Sequence, residues 1–109
     1  MARHNELGKW GEQLAVDLLV TKGYAIVERN WRAGNLEVDI VAMKDNRIVF
    51  VEVKTRSSEF VDPLDAIDRR RVSRIVRAAN SYVKAYNIPH EVQFDVIIII
   101  VFLKSTVLP

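Results

Sequence analysis

Two apolar segments joined by a short polar turn limit what this chain can fold into more than any other feature. Residues 36–43 and 47–54 are rich in β-branched side chains, and the pair Asp45-Asn46 between them suits the turn of a hairpin. The pattern therefore predicts an antiparallel hairpin in which Lys44 faces Arg47. A three-residue loop would break this register.

The two faces of the predicted hairpin differ in polarity. One face is apolar throughout and consists of Leu36, Val38, Ile40, Ala42, Val49, Val51 and Val53. The opposite face is apolar near the turn, but at its far end Asp39 faces Glu52 and Glu37 faces Lys54. A solvent-exposed hairpin face is normally polar along its whole length. We therefore expect burial on both faces, with the charges gathered at one end.

Helices are predicted before and after the hairpin. Apolar residues at helical spacing predict a first helix over residues 5–22, and a strand over residues 24–30 and a loop over residues 31–35 follow it. A second helix is predicted to begin at Asp62-Pro63, with the aspartate as its N-cap, and to continue to Asn87.

The last segment completes the predicted fold. Residues 91–103 are strongly apolar and β-branched, which is typical of a buried strand with helices over both faces. The predicted order is therefore α-β-β-β-α-β. This order indicates one α/β domain over residues 1–109, in which helices flank a mixed central sheet.

Composition excludes several classes of protein. The chain has no cysteine, which excludes a disulfide scaffold and a thiolate zinc site. Its longest apolar run, residues 96–103, is far shorter than the roughly 20 residues that a membrane-spanning helix needs. With no leader-like segment either, we expect a cytoplasmic protein.

The net charge is only +2, so the placement of the charges must indicate whether nucleic acid is a partner.

The acidic end of the hairpin suggests chemistry. Two carboxylates that face each other across a strand pair repel by about 0.2–1 kcal/mol, and a divalent cation between them reverses the sign of that interaction. Lys54 projects from the same face as Glu52 and could stabilise charge on a phosphate. Asp39, Glu52 and Lys54 therefore have the parts for phosphodiester hydrolysis. The alternative is a group of salt bridges that only stabilises the fold.

A fourth acid belongs to the first predicted helix. Glu12 lies at the margin of the apolar stripe, beside the small residues Gly8, Gly11 and Ala15, which allow the helix to approach the sheet closely. Glu12 could therefore point along the sheet toward Asp39 and Glu52. The alternative is an exposed surface glutamate.

These residues resemble a known nuclease pattern. Glu37-Val38-Asp39, followed by Val51-Glu52-Val53-Lys54, is similar to the Asp…Glu-x-Lys signature of the restriction-endonuclease-like superfamily, with Val38 at the position of the superfamily's proline. Over nearly its whole length the chain also resembles the YraN family, small bacterial proteins similar to archaeal Holliday-junction resolvases. The wider match rests on Gly8, Gly11, Glu12, Gly23, Tyr24, residues 28–32, residues 77–79 and residues 94–96.

The resemblance implies a restriction-endonuclease-like core and a nuclease that depends on Mg²⁺ or Mn²⁺. Asp39 and Glu52 would bind the metal together with the backbone carbonyl of Val53, Lys54 would assist, and Glu12 would complete the acidic cluster. The implied substrate is DNA, with branched or recombination intermediates as one class. By analogy with the resolvases, a homodimer is a further expectation.

Basic residues in two places could hold nucleic acid. Four of them share one side of the second predicted helix, where Arg69 and Arg71 add positive charge. These four are Arg70, Arg74, Arg77 and Lys84. The second place combines the candidate stacking residue Trp31 with Arg29 and Arg32, and Arg56 extends the positive surface beside the acids. The alternatives are a solvated helix face and a tryptophan that packs in the core.

Three hypotheses about function follow. The first is a metal-dependent nuclease that acts on DNA. The second is a module that binds nucleic acid through the basic helix and the Trp31 loop but does not cleave it. The third is a structural or protein-interaction domain whose charges form salt bridges.

Overall fold

The computed structural model, which describes residues 6–56 and 68–102, contains a four-stranded sheet with two helices. The elements are α1 (Glu6–Thr21), β1 (Ala25–Ala33), β2 (Leu36–Lys44), β3 (Arg47–Arg56), α2 (Arg69–Tyr86) and β4 (Glu91–Ile100). The strands lie in chain order, β1 to β3 are antiparallel, and β4 is parallel to β3. The predicted α-β-β-β-α-β order and mixed sheet are confirmed, and they are consistent with a restriction-endonuclease-like core.

The turn between β2 and β3 fixes the register of the central hairpin. Asp45 and Asn46 both have positive φ, 51° and 62°, the backbone conformation that a tight two-residue hairpin turn requires. Lys44 consequently pairs with Arg47, and the pairing continues without a shift to Ile40 and Val51. The predicted register is confirmed over this part of the hairpin.

The sheet is covered by α1 on one face and by α2 on the other. The α1-side core contains Ala15, Val16, Leu19, Ile40, Ala42, Val49 and Val51. The α2-side core contains Val38, Val41, Ile48, Phe50, Ile75, Ala78, Ala79 and Tyr82. Both faces of the hairpin are therefore buried near the turn, as the sequence predicts.

One prediction about the hairpin faces is wrong. Leu36 and Val38 pack with the α2-side core, whereas Ile40 and Ala42 belong to the α1-side core. Regular alternation would place all four on one face, so the alternation is broken around Asp39. The physical reason lies in the backbone pairing, which stops at Ile40 and Val51.

The ends of two elements differ from the prediction. Strand β1 continues through the predicted loop to Ala33 and turns at Gly34, whose φ is 62°. Helix α2 begins at Arg69, because Asp68 is extended (φ −119°, ψ 132°) and its side chain accepts a hydrogen bond from the Arg70 N–H. The predicted start at Asp62-Pro63 lies outside the described residues.

Strand β4 is also placed differently from the prediction. Among the described strands it lies at the edge of the sheet, and several of its apolar side chains are exposed, whereas the sequence predicts a buried strand with helices over both faces. The apolar sequence of residues 91–103 indicates a strand correctly. It does not reveal that the two helices cover the inner strands instead.

Candidate active site

The candidate site lies at a fork between β2 and β3. Beyond Ile40 and Val51 these strands no longer pair, although β2 remains paired with β1 as far as Leu36 and β3 remains paired with β4 as far as Arg56. The two halves of the sheet therefore diverge at the end remote from the turn. This divergence opens space between the charged residues of the hairpin.

Asp39 stands at the point where the strands separate. Its Oδ2 accepts a hydrogen bond of 2.7 Å from the backbone N–H of Val53. In a regular ladder this N–H would bond to a carbonyl of β2, so the Asp39 side chain takes the place of a backbone partner. The N–H and C=O of a strand residue point to the same side, so the Val53 carbonyl is also directed toward the fork.

The environment of Asp39 favours its neutral form. The pKa of this carboxyl is raised to about 6: burial contributes most, the Val53 N–H opposes it, and the negative charges of Glu52, Glu12 and Glu37 add to the rise. No salt bridge to Asp39 occurs among the residues that the structure describes. Asp39 is therefore a partly buried acid beside three other acids without a cation of its own.

Glu52 has the opposite environment. Its Oε2 lies 3.0 Å from Lys54 Nζ and 2.8 Å from Arg71 Nε. Burial alone would raise the pKa of Glu52, but hydrogen bonds from Arg71 and Lys54 outweigh burial and hold the pKa below its ordinary value. Lys54 is only 6% exposed, so its ammonium group is a buried charge that Glu52 compensates.

Helix α1 brings Glu12 to the α1 side of the fork. The helix can approach β3 because position 11 is glycine, and a Cβ at Gly11 would collide with the Thr55 side chain. Glu12 Oε1 accepts hydrogen bonds from Asn30 Nδ2 at 3.0 Å and from Arg29 at 3.2 Å. Glu12 and Asp39 therefore line one cleft, as the sequence predicts, whereas Glu52 lines a different one.

Two clefts meet at the fork. The α1-side cleft has a volume of about 550 Å³, and the α2-side cleft has a volume of about 380 Å³. Glu37 and Asp39 line both of them. The α1-side cleft also contains Glu12, Lys54, Arg32 and Arg56, and the α2-side cleft contains Glu52, Arg70, Arg71 and Arg74. Each cleft is therefore lined by acidic residues near the fork and by arginines.

The donor set fits a hard divalent cation bound through few protein ligands. Within residues 6–56 and 68–102, no three acidic or histidine side chains form a ready-made metal cage. Mg²⁺ does not need one, since it is usually bound by one or two carboxylates with water and a substrate phosphate. The supporting observation is the raised pKa of Asp39, to which burial contributes most and three neighbouring carboxylates add. A cation at the fork would relieve that excess of negative charge.

The predicted basic residues do not all lie at the fork. Arg70 and Arg74 line the α2-side cleft, and Arg74 also donates to the Asn35 carbonyl at 3.0 Å. Arg77 and Lys84 are exposed on α2 but line neither cleft. Arg29 is engaged by Glu12.

Trp31 packs against helix α2. Its ring meets Tyr82 edge to face, with 5.1 Å between ring centroids, and it is partly buried against the α2-side core. This is the packing alternative that the sequence left open for Trp31.

Sequence reasoning missed Arg71 as a partner of Glu52. It counted this residue only as additional positive charge, although Arg71 lies one helical turn before the buried Ile75 and therefore points toward the sheet. That spacing was the available signal. Asn30 was also missed as a donor to Glu12. Its positive φ of 53° near the end of β1 gives no sequence pattern that would identify the contact.

Comparisons with known proteins identify the family. The model of an uncharacterised protein family, UPF0102, matches residues 11–99. This chain belongs to the UPF0102 family. A UPF0102 protein of Bacteroides thetaiotaomicron is 52% identical over 101 residues, covering 92% of this chain and 84% of the relative. A UPF0102 protein of Flavobacterium psychrophilum is 47% identical over 98 residues, covering 89% and 82% respectively.

The family assignment confirms the resemblance to the YraN family. The names of these UPF0102 relatives state no reaction and no ligand. No helix in the described part of this UPF0102 protein is long and apolar enough to span a membrane.

Proposed function

We propose that this UPF0102 protein is a metal-dependent nuclease that hydrolyses phosphodiester bonds of DNA at the fork between β2 and β3. The observation that carries the proposal is the divergence of the two strands at Asp39. At this one place the fold combines a carboxylate without a cation, a second carboxylate and a buried ammonium group. Salt bridges alone do not explain Asp39, whose pKa is raised and which has no ion pair among the described residues.

Each residue at the fork would have a separate role in the hydrolysis. Asp39 and Glu52 would hold Mg²⁺ or Mn²⁺, with the carbonyl of Val53 as a further oxygen ligand. A bound divalent cation supplies Lewis-acid polarisation of the phosphate and lowers the pKa of a coordinated water. Lys54 donates hydrogen bonds from a largely buried position, where its interaction with negative charge on a phosphate is strengthened.

The arginines at the rims of the clefts would position the DNA strand. Arg32 and Arg56 line the α1-side cleft, and Arg70 and Arg74 line the α2-side cleft. Guanidinium groups bind phosphates in a bidentate manner, so the two rims could hold the backbone on either side of the scissile bond. This arrangement suits a DNA strand that crosses the fork from one cleft to the other. Branched DNA contains strands that change direction in this way. A cytoplasmic location belongs to the same proposal.

A nucleic-acid-binding module without turnover is the second candidate. It is favoured by the ion pairs of Glu52, because Lys54 and Arg71 already compensate this carboxylate. In that case the basic helix would bind phosphates, and the fork would be structural. Neither candidate needs a second chain, since all of the acids and Lys54 come from one copy.

A cleavage assay distinguishes the candidates. Supercoiled, linear and four-way-junction DNA are incubated with the wild type, Asp39→Asn and Lys54→Met, in Mg²⁺, Mn²⁺ or EDTA. Asp45→Asn is the matched control, because it makes the same chemical change at the turn end of the hairpin, at a positive φ that asparagine adopts readily.

We expect metal-dependent cleavage by the wild type and by Asp45→Asn, and loss of cleavage in Asp39→Asn and Lys54→Met. Binding that weakens with salt, without cleavage in any metal, would favour the binding module instead. If the wild type neither cleaves nor binds these substrates, both candidates are wrong.

A further inference from the structure

Glu52 is held by two cations that differ in how firmly each is fixed. Lys54 Nζ and Arg71 Nε both contact its Oε2, at 3.0 Å and 2.8 Å. The Lys54 side chain is almost completely buried and belongs to the same strand. The Arg71 side chain is 54% exposed and comes from helix α2. An exposed ion pair contributes little to stability, so Arg71 is the partner that Glu52 can exchange.

The guanidinium group of Arg71 has donors left for another ligand. Within residues 6–56 and 68–102 only its Nε donates a hydrogen bond, and its two terminal nitrogens make no ion pair. Arginine carries five N–H donors in a planar fork, which matches two oxygens of a phosphate. A phosphate therefore offers Arg71 two hydrogen bonds, against the single one that Glu52 accepts.

The α2-side cleft contains two further guanidinium groups beside Arg71. Arg70 and Arg74 line it, and neither forms a salt bridge with a carboxylate in the described part of the chain. Like charges in one cleft repel each other. Arg70 and Arg71 also lie in the first turn of α2, where the helix dipole disfavours positive charge. An anion between these arginines would relieve both effects.

Exchange at Glu52 requires no proton transfer. Burial raises the pKa of this carboxyl, but hydrogen bonds from Arg71 and Lys54 outweigh burial and hold the pKa below its ordinary value. Glu52 is therefore a charged carboxylate at neutral pH. A divalent cation and the Arg71 guanidinium group carry charge of the same sign, so they compete for this carboxylate.

Arg71 thus has one partner in the acidic site and another partner of higher complementarity in the substrate. We propose that a DNA phosphate in the α2-side cleft takes Arg71 from Glu52, and that Glu52 is then available to the metal ion. This coupling rests on the proposed function, because it takes Glu52 as a metal ligand and a phosphate of the substrate as the anion. As a result, the metal is bound more tightly when substrate is present.

Calorimetry with Mn²⁺ tests the coupling in the full-length protein. Sulfate is the probe for the anion, since it is tetrahedral and doubly charged, and chloride at equal ionic strength is the reference. Sulfate should raise the Mn²⁺ affinity of the wild type by roughly 5-fold or more, the lower end of typical coupling between two binding sites. By reciprocity, Mn²⁺ should raise the sulfate affinity by the same factor.

Two substitutions in the cleft distinguish the Arg71 contact from the general effect of charge. Arg71→Gln should bind Mn²⁺ more tightly than the wild type in chloride and should gain nothing further in sulfate. Arg70→Gln makes the same chemical change in the same cleft, at a side chain that does not contact Glu52. Its gain in chloride should therefore be smaller. Equal gains in the two variants would overturn the proposal, because overall charge would then explain them.

Lys22→Gln is the control for loss of one positive charge elsewhere. Lys22 is exposed and follows α1 at the end of the sheet remote from the fork, where its carbonyl accepts from Lys44 beside the hairpin turn. This variant should have the Mn²⁺ affinity of the wild type in both salts.

A second measurement follows the exchange without metal. The Nε–H resonance of Arg71 is identified in ¹H–¹⁵N spectra by its loss in Arg71→Gln, and sulfate should shift it. The Nε–H of Arg29 is the internal reference, since all three nitrogens of this guanidinium group already donate to Glu12 and Gln13. Equal shifts of both resonances, or no shift of either, would contradict the exchange.

The calorimetric outcomes are equally decisive. A sulfate effect of the same size in Arg71→Gln and in the wild type would overturn the coupling, and so would a wild type with equal Mn²⁺ affinity in both salts. Absence of Mn²⁺ binding in either salt would overturn it together with the ligand role of Glu52.

The DNA-cleavage assay separates this coupling from the proposed function. Cleavage without an effect of sulfate on Mn²⁺ affinity leaves the nuclease proposal intact and contradicts the role of Arg71. An effect of sulfate without cleavage of any DNA substrate supports the role of Arg71 and contradicts the nuclease proposal.

Discussion

The two ends of the β2–β3 hairpin differ in backbone pairing and in the polarity of their side chains. At the turn end the ladder is unbroken from Lys44 and Arg47 to Ile40 and Val51, and the side chains between the helices are almost completely buried. At the open end the ladder is lost, and acids, ion pairs and clefts replace the packed core. Hydrophobic packing at one end allows the other end to hold Asp39, whose pKa is raised by burial and by the neighbouring carboxylates.

The largest effect is expected from removing packing at the turn end. Phe50 is fully buried between α2 and the sheet and contacts the rings of Tyr82 and Phe94. Phe50→Ala should lower the free energy of unfolding by about 3–5 kcal/mol, since it removes buried apolar area and leaves a cavity. Urea unfolding measures the change. Val53→Ala at the open end is the comparison and should cost much less, because Val53 is only half-buried.

Glu52→Gln should produce the next largest loss of stability. The substitution leaves the buried Lys54 ammonium without its carboxylate partner, at a cost of about 2 kcal/mol in unfolding free energy. The same urea experiment tests this value at pH 7.5. Unchanged stability would mean that Lys54 does not need Glu52 for charge compensation.

Asp39→Asn should raise the free energy of unfolding, whereas the two preceding substitutions lower it. Since the pKa of Asp39 rises from 3.8 to about 6 on folding, the folded protein binds more protons than the unfolded chain between these pH values. The stability of the metal-free wild type should therefore fall as the pH rises from about 4 to 6 and then level off. The loss is up to about 3 kcal/mol, from 1.36 kcal/mol for each pKa unit.

In Asp39→Asn this pH-dependent loss should be absent, so the variant should be more stable than the wild type at pH 7.5. Asparagine keeps a carbonyl oxygen that can accept the Val53 N–H, and it lacks the charge. Thermal unfolding at a series of pH values provides the measurement. Parallel curves for the two proteins would show that Asp39 has an ordinary pKa.

The smallest effect on stability is expected at Arg71. This side chain is more than half exposed, so Arg71→Gln should change the unfolding free energy by less than about 1 kcal/mol. The variant should nevertheless bind Mn²⁺ more tightly in calorimetry without DNA, since Glu52 loses a competing cation. Arg77→Gln, also exposed on α2, serves as control and should leave Mn²⁺ affinity unchanged. Equal affinities in all three proteins would indicate that Glu52 is not a ligand.

Local patterns account for what could be predicted about the site. Asp45-Asn46 set the hairpin turn, and the turn then determined that Asp39 and Glu52 would lie at the same end of neighbouring strands. Gly11 beside Glu12 indicated a close approach of α1. Each of these inferences depends on the chain within one element or one turn.

Long-range packing decided the rest. Arg71 reaches Glu52 only because α2 crosses the sheet at a particular position, and the apolar pattern of β4 is the same for a central strand and for an edge strand. The break in alternation at Asp39 is also invisible in the sequence, which alternates through it. It coincides with the end of the β2–β3 backbone pairing, where the Asp39 side chain accepts the Val53 N–H in place of a backbone carbonyl.

The sequence by itself determined the order of elements, the hairpin register near the turn and the identity of the charged residues, because side-chain periodicity and turn chemistry act locally. Only the tertiary structure decided which acids would be compensated by arginine and lysine and which would remain unpaired. Charge compensation depends on distances between elements that are remote in the chain, and those distances are set by how the helices pack on the sheet.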